Sequence, residues 1–209
     1  MRSLISLITF LTLVLSISSC SFQSNKTSNT EQRVDSLLNL MTLDEKIGQL
    51  VQKNSGAFKD SLVREGCLGS VLNETNLKEI NRVQRIAIEQ SRLGIPLIYA
   101  RDVIHGYKTI TPIPLGQAAT WNPDMVKKGA EMAAIEARKA GIHWTFSPMI
   151  DVTRDPRWGR IAEGYGEDAF LTTVMGNATI NGYQGDELKD KNTIAACAKH
   201  FVAYGAAEA

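Results

Sequence analysis

Three stretches of the chain gather side chains that could do chemistry on a polar ligand. In Arg101-Asp102-Val103-Ile104-His105-Gly106 a carboxylate directly follows an apolar run. Ionised, Asp102 accepts through two oxygens, which suits ligand hydroxyls and suits equally the capping of a turn in its own loop. His105, beside a glycine, reads as a structural histidine bonded to backbone. In Asp151-Val152-Thr153-Arg154-Asp155-Pro156-Arg157-Trp158-Gly159-Arg160, arginines and aspartates crowd around a proline, a tryptophan and a glycine. A guanidinium is always charged and presents a planar donor fork, which fits vicinal hydroxyls as well as carboxylates. Internal pairing is the expected fate of at least two of these arginines. For Trp158 a core position is the commoner outcome and a stacking platform the alternative. In Ala196-Cys197-Ala198-Lys199-His200-Phe201, two titratable side chains close an otherwise apolar run. A lysine there is costly to bury unless it is paired, which favours a functional role.

Those clusters need elements to hold them, and the punctuation of the chain supplies candidates. Glu31 to Met41 is helical in pattern, and Thr42-Leu43-Asp44-Glu45 is a capping box that predicts a second helix through Val51. Leu68 to Leu72, after Gly66, reads as a buried strand. Asn76 to Arg92 follows as a helix with Leu77, Ile80, Val83 and Ala87 on one face, closed by Gly94. Pro96 to Ala100 is the next strand. Asn122-Pro123, a cap and a first-turn proline, opens a helix with Val126, Ala130, Ala133, Ala134 and Ala137 on its inner face, and Gly141 ends it. His143 to Val152 is a strand candidate, Asp168 to Tyr183 a helix, and Thr193 to Val202 another strand.

Strands alternating with amphipathic helices predict βαβ units and a parallel sheet covered by helices, an α/β fold. The charged clusters fall just after the strands, where a (β/α)8 barrel of the TIM type carries its function. On pattern alone an open sheet is the alternative. Such a barrel takes about 250 residues, whereas this chain has 209 and stops at Ala209, directly after a strand candidate and its loop. The expectation is a partial (β/α)8 TIM-type barrel, the N-terminal portion only.

Composition removes several function classes. Lys and Arg number 23 against 22 Asp and Glu, with no basic stripe, so nucleic-acid binding lacks its electrostatic motive. No Gly-x-Gly-x-x-Gly follows the early strands, so a dinucleotide has no anchor and no cofactor is expected. At the N-terminus, Arg2 precedes an apolar run from Leu4 to Ile17, broken only by Ser and Thr and ending in Ile17-Ser18-Ser19-Cys20. Residues 1–19 read as a signal peptide of the lipoprotein type, with Cys20 lipidated as in a bacterial lipobox; an ordinary cleaved signal is the alternative. Residues 20–32 read as a flexible tether and 33–209 as the folded part. The expected location is exported, periplasmic or anchored to the outer membrane, with membrane contact only through the lipid. Cys67 and Cys197 read as small buried hydrophobes, with neither a disulfide framework nor a metal site expected.

Taken together, the motifs resemble glycoside hydrolase family 3, the β-glucosidase and exo-glucanase type. The likeness runs in order through Met41-Thr42-Leu43-Asp44-Glu45-Lys46, the Asp102 loop, Pro112-Ile113-Pro114-Leu115-Gly116, Asp155-Pro156-Arg157-Trp158-Gly159-Arg160, Glu163-Gly164-Tyr165-Gly166-Glu167-Asp168 and Lys199-His200-Phe201. It implies that residues 33–209 are the N-terminal part of a (β/α)8-type domain whose strand-end loops hold a terminal glucosyl unit. By matched position, Asp102, Arg160, Lys199 and His200 are the implied sugar-binding set, and Arg157 is a structural partner. The implied activity is hydrolysis of terminal non-reducing β-D-glucosyl residues from β-glucosides or β-linked oligosaccharides. The mechanism is a retaining double displacement, with nucleophile and acid/base carboxyls about 5–5.5 Å apart. Lys199 to Ala209 differs from the Lys-His-Phe-Pro-Gly-His-Gly of the N-acetylglucosaminidase branch, which is set aside. The family's nucleophile is an Asp in a later Ser-Asp-Trp-like motif, and its acid/base lies further along; this sequence contains no Ser-Asp-Trp. Both groups are therefore expected beyond Ala209, the chain alone is expected to be inactive, and neither Asp151 nor Glu167 matches a family position for either role. A β-xylosidase of the same family and a non-catalytic sugar-binding lipoprotein are the alternatives.

Overall fold

The computed structural model describes residues 29–201 and 203–206. The expected signal segment 1–19, the lipidation position Cys20, the tether as far as residue 28 and Val202 lie outside the described residues. Helix α1, Asn29–Leu40, begins inside the stretch read as tether and forms part of a unit distinct from residues 41–209.

In the second unit, Thr42 caps α2 (Leu43–Gln49) with both halves of the capping box in place. Glu45 closes the box by accepting from Thr42 N (2.8 Å) and also takes Arg92 Nε (2.9 Å). Those donors, Arg92 foremost, hold its carboxyl down at about 2. A four-stranded parallel sheet follows in the order β1 (Gln52–Asn54), β2 (Ser70–Leu72), β3 (Ile98–Arg101), β4 (Trp144–Thr145). Its registers pair Val71 with Lys53 and Tyr99, and Ala100 with Trp144. Strand β1 has no counterpart among the sequence expectations. It is an edge strand of polar residues, so it lacks the apolar pattern by which strands are read.

Two strand expectations shrink for an identifiable reason. His143 to Val152 pairs regularly only at Trp144–Thr145, because Pro148 has no N–H to offer a ladder. Thr193 to Val202 is not a regular strand. Its described part runs parallel to β4 and is stitched on by Thr145 N to Ala195 O (2.8 Å), Cys197 N to Ser147 O (2.9 Å) and Ile150 N to Lys199 O (2.7 Å). The sheet remains an open arc of a (β/α)8-type barrel. Cys67 and Cys197 are half-buried free thiols rather than the buried hydrophobes expected.

The helices cover the sheet as their patterns predict. Asn76 caps α4 (Leu77–Gln90), which buries Ile80, Val83, Ile86 and Ala87 against Val71, Leu97 and Tyr99; Leu77, expected on that face, is exposed. Between them lie α3 (Asp60–Arg64) and, later, α5 (Pro114–Ala118), both too short for a periodic signal. Helix α6 (Pro123–Lys139) buries the expected Val126, Ala130, Ala133, Ala134 and Ala137. Asp168 caps α7 (Ala169–Gln184), and Gly182 lets the two helices touch, since a Cβ there would meet Lys127 O at 2.5 Å and Ala130 Cβ at 2.6 Å.

Two outcomes follow from this packing. Gly182→Ala forces α6 and α7 apart, and the cost expected in chemical denaturation is about 1–3 kcal/mol; unchanged stability would mean that the helices separate freely. His143 Nδ1 accepts from Tyr99 N (3.2 Å), and burial, helped by Arg138, lowers its proton affinity. The unfolded chain therefore takes up a proton below about 6.5 that the folded chain resists, so stability is complete above that value and falls as the pH drops. Replacing His143 by Asn should shrink the change in melting temperature across about pH 8 to 5, the range of ordinary histidine titration.

Candidate functional site

Parallel strands place all their C-terminal ends on one edge of the sheet, and the charged clusters assemble there. Asp102 is the first residue past β3, and its loop is tied down from three elements. Thr145 of β4 takes Val103 N (3.0 Å) and donates to Val103 O (3.2 Å), and Tyr183 of α7 donates to the same carbonyl (2.5 Å). Further along, Glu136 of α6 accepts from Lys108 N, Thr109 N and Thr109 Oγ1, bonds that lower its pKa. His105 is bonded to backbone through Thr111 O (3.0 Å), as its position beside glycine predicts.

Lys199 meets Asp102 across the edge, Nζ to Oδ1 at 3.2 Å. The lysine side chain is 14% exposed and the aspartate 50%, so the cation is sunk and its partner faces solvent. Beside them runs a second chain of contacts. Glu163 accepts from Arg160 Nε (2.7 Å) and Nη2 (2.6 Å), and Arg160 Nη1 lies 3.3 Å from His200 Nε2. His200 in turn presents Nδ1 (2.8 Å) and its backbone N (3.2 Å) to Asp151 Oδ2. The fork from Arg160 holds Glu163 below the ordinary carboxylate range, and Glu163 raises the proton affinity of Arg160.

An aromatic pair backs this row. Tyr204 stands edge-on to His200 (4.7 Å between centroids) and to Trp158 (5.2 Å), with Arg160 5.6 Å from its ring centre. Trp158 is 8% exposed, the core position rather than a platform. Gly205 lies so close to the Asp151 loop that a Cβ would meet Val152 O at 2.7 Å. Arg157 pairs with Asp155 through Nη2 (2.6 Å) and Nε on the surface, the structural role expected of it.

All four residues expected to bind sugar are thus on one edge: Asp102 with Lys199, and Arg160 with His200. Sequence reasoning missed Asp151, Glu163 and Tyr204 as members of the cluster. Asp151 carried a readable signal, a carboxylate at the end of an apolar run, as Asp102 is; Glu163 sits three residues after Arg160. For Tyr204 there was none. A cleft of about 720 Å³ lies elsewhere, lined by Glu131, Gly182, Asp186 and Glu187, and none of the strand-end residues lines it. Among the described residues no group of His, Cys, Asp or Glu is placed to hold a metal.

Fold and site together define an α/β protein of the barrel type with a charged cluster at the C-terminal ends of its strands. Residues 42–209 match the sequence profile of the glycosyl hydrolase family 3 N terminal domain, and the chain belongs to that family. It is 41% identical over 181 residues to a periplasmic beta-glucosidase of Salmonella typhimurium, covering 84% of this chain and 24% of that one. It is 35% identical over 207 residues to a putative beta-xylosidase of Formosa agariphila, covering 87% and 27%. The crystal structure of a beta-glucosidase from Listeria innocua in complex with glucose superposes with a TM-score of 0.79 at 43% identity, over 85% of this chain and 27% of that one. The chain therefore spans about a quarter of the length of these relatives.

Proposed function

We propose that this chain forms the sugar-holding part of the active site of a retaining glycosidase that removes terminal non-reducing β-D-glucosyl residues. The observation that carries the reading is the convergence of Asp102, Arg160 and the adjacent Lys199 and His200, from three strand-end segments, onto one edge of the sheet. Each has the chemistry for a ring of hydroxyls. Asp102 offers a half-exposed carboxylate to hydroxyl protons. Lys199 directs one of its three donors to Asp102 and has two more. Arg160, anchored by Glu163, His200 and Tyr204, presents a guanidinium whose donors suit hydroxyl oxygens.

The covalent step belongs, in this reading, to carboxyl groups in the part of the relatives' length that this chain does not match. One attacks the anomeric carbon while the other protonates the leaving oxygen, and water then releases the sugar. The likeness to a putative beta-xylosidase supports a second substrate, a terminal xylosyl residue. Export is part of the proposal, supported by the N-terminal apolar run ending in Cys20 and by similarity to a periplasmic relative.

In the whole glycosidase, Asp102→Ala should lower kcat/KM on p-nitrophenyl β-glucoside by about one to two decades, the worth of charge-assisted bonds to hydroxyls. Asp155→Ala, at the surface pair with Arg157, should change it far less. Wild-type kinetics from a folded Asp102→Ala protein would remove Asp102 from the site. The 209-residue chain alone should release no p-nitrophenol, because groups that position a sugar do not supply a nucleophile; turnover by it would place the covalent chemistry within this chain. Parallel assays on the β-xyloside separate the two substrates. Cys20→Ser should move the protein from the membrane fraction to the soluble one if the anchor is a lipid, and an unchanged distribution would exclude that anchor.

A further inference from the structure

Asp151 contacts none of the four proposed sugar-binding side chains except His200, yet its own side chain is only 3% exposed. It accepts from His200 twice, at the backbone N (3.2 Å) and at ring Nδ1 (2.8 Å). The other ring nitrogen, Nε2, lies 3.3 Å from Arg160 Nη1. A guanidinium has donors only, so Nε2 must be the accepting nitrogen. An ionised carboxylate has acceptors only, so Nδ1 must carry the proton. Both neighbours therefore select the same tautomer from opposite sides of the ring, and Tyr204 fixes its plane by edge contact at 4.7 Å.

We propose that Asp151 is a positioning residue: it holds His200 as the Nδ1–H tautomer so that Nε2 presents a lone pair to a sugar hydroxyl beside the donors of Arg160. The consequence is a matched acceptor and donor. A hydroxyl that replaces the long Arg160–His200 contact donates its proton to Nε2 and accepts from Nη1 at once. A ligand carboxylate has no proton to donate and cannot do both, so the pair prefers a neutral hydroxyl to an acidic group. With the ring proton on Nε2, two donors would face the hydroxyl and the lone pair would be turned toward the protein. Which nitrogen carries the proton is set by the bond made at the other one, and here that bond goes to Asp151. The role in catalysis rests on the glycosidase reading; the tautomer does not.

The test has two arms that fail separately. In the intact protein isotopically labelled at histidine ring nitrogens, nuclear magnetic resonance reports the tautomer of His200, its signals assigned by their loss in His200→Gln. The wild type should show Nδ1–H, Asp151→Ala should shift the ring toward Nε2–H, and Asp151→Asn, whose amide oxygen can still accept from Nδ1–H, should keep it. An Nε2–H signal in the wild type, or an unmoved Nδ1–H in Asp151→Ala, overturns the proposal. On p-nitrophenyl β-glucoside, Asp151→Ala should raise KM about two- to tenfold, the loss of a neutral hydrogen bond to a hydroxyl, with most of the loss recovered in Asp151→Asn. A fall in kcat at unchanged KM is the mark of a smaller folded fraction and also overturns it. Should Asp151→Ala not fold, the wild-type tautomer and the Asn variant carry the decision. A wild type without activity on β-glycosides defeats the glycosidase reading alone and leaves the tautomer comparison decisive.

Discussion

A carboxylate as deeply placed as Asp151 must be answered by donors, because an uncompensated charge in the interior costs several kcal/mol. Its donors come from a residue 49 positions further on, the backbone N–H and ring of His200. Meeting that demand constrains the whole run from Ala195 to His200, which must lie alongside β4 in the same direction. The bonds from Thr145, Cys197 and Ile150 hold it there. Once that path is set, Lys199 falls beside Asp102 and His200 beside Arg160 without further adjustment of the backbone.

The helical layer serves the same edge from behind. Small residues on α6 and Gly182 on α7 bring those helices into close contact, which places Tyr183 within reach of Val103 O. Thr145, fully buried, satisfies both polar groups of Val103. The Asp102 loop is thus bonded to strand, helix and neighbouring loop before any ligand arrives. Preorganisation of this kind removes an ordering cost that binding would otherwise carry.

Donors and acceptors interlock along the site: Glu163 accepts from Arg160, Arg160 faces the His200 ring, and His200 meets Asp151, with the Lys199–Asp102 pair beside them. Glu163 and Arg160 are about a third exposed, and ion pairs screened to that extent add little to stability. Their value is directional. The bidentate fork on Glu163 orients Arg160 so that Nη1 faces the imidazole, and geometry of that kind is what a guanidinium supplies and an ammonium does not. Tyr204 touches His200 and Trp158 edge-on and so adds ring contacts beside the row.

Much of this was legible in the residues themselves. The capping box at Thr42, the Asn76, Asn122 and Asp168 caps, and the alanine face of α6 are local signals, set by bonds and spacing within a few residues, and they appear where the pattern put them. The alternation of strand and helix identified the fold class, and the order of motifs identified the site residues of the resemblance. What escaped was set by contacts distant in sequence. The polar edge strand β1 exists because β2 lies next to it, and the last strand candidates break up because Pro148 withdraws a donor from a ladder whose partner is some fifty residues away. Asp151 looked like one more charge in a crowded loop until the fold laid His200 against it. The sequence by itself determined the capped helices, the alternation of strand and helix, and which groups are offered at the strand ends. Only the tertiary structure decided which charges meet, because the depth of Asp151 and the pairing of Lys199 arise when segments far apart in the chain are brought to one sheet edge and shielded from water.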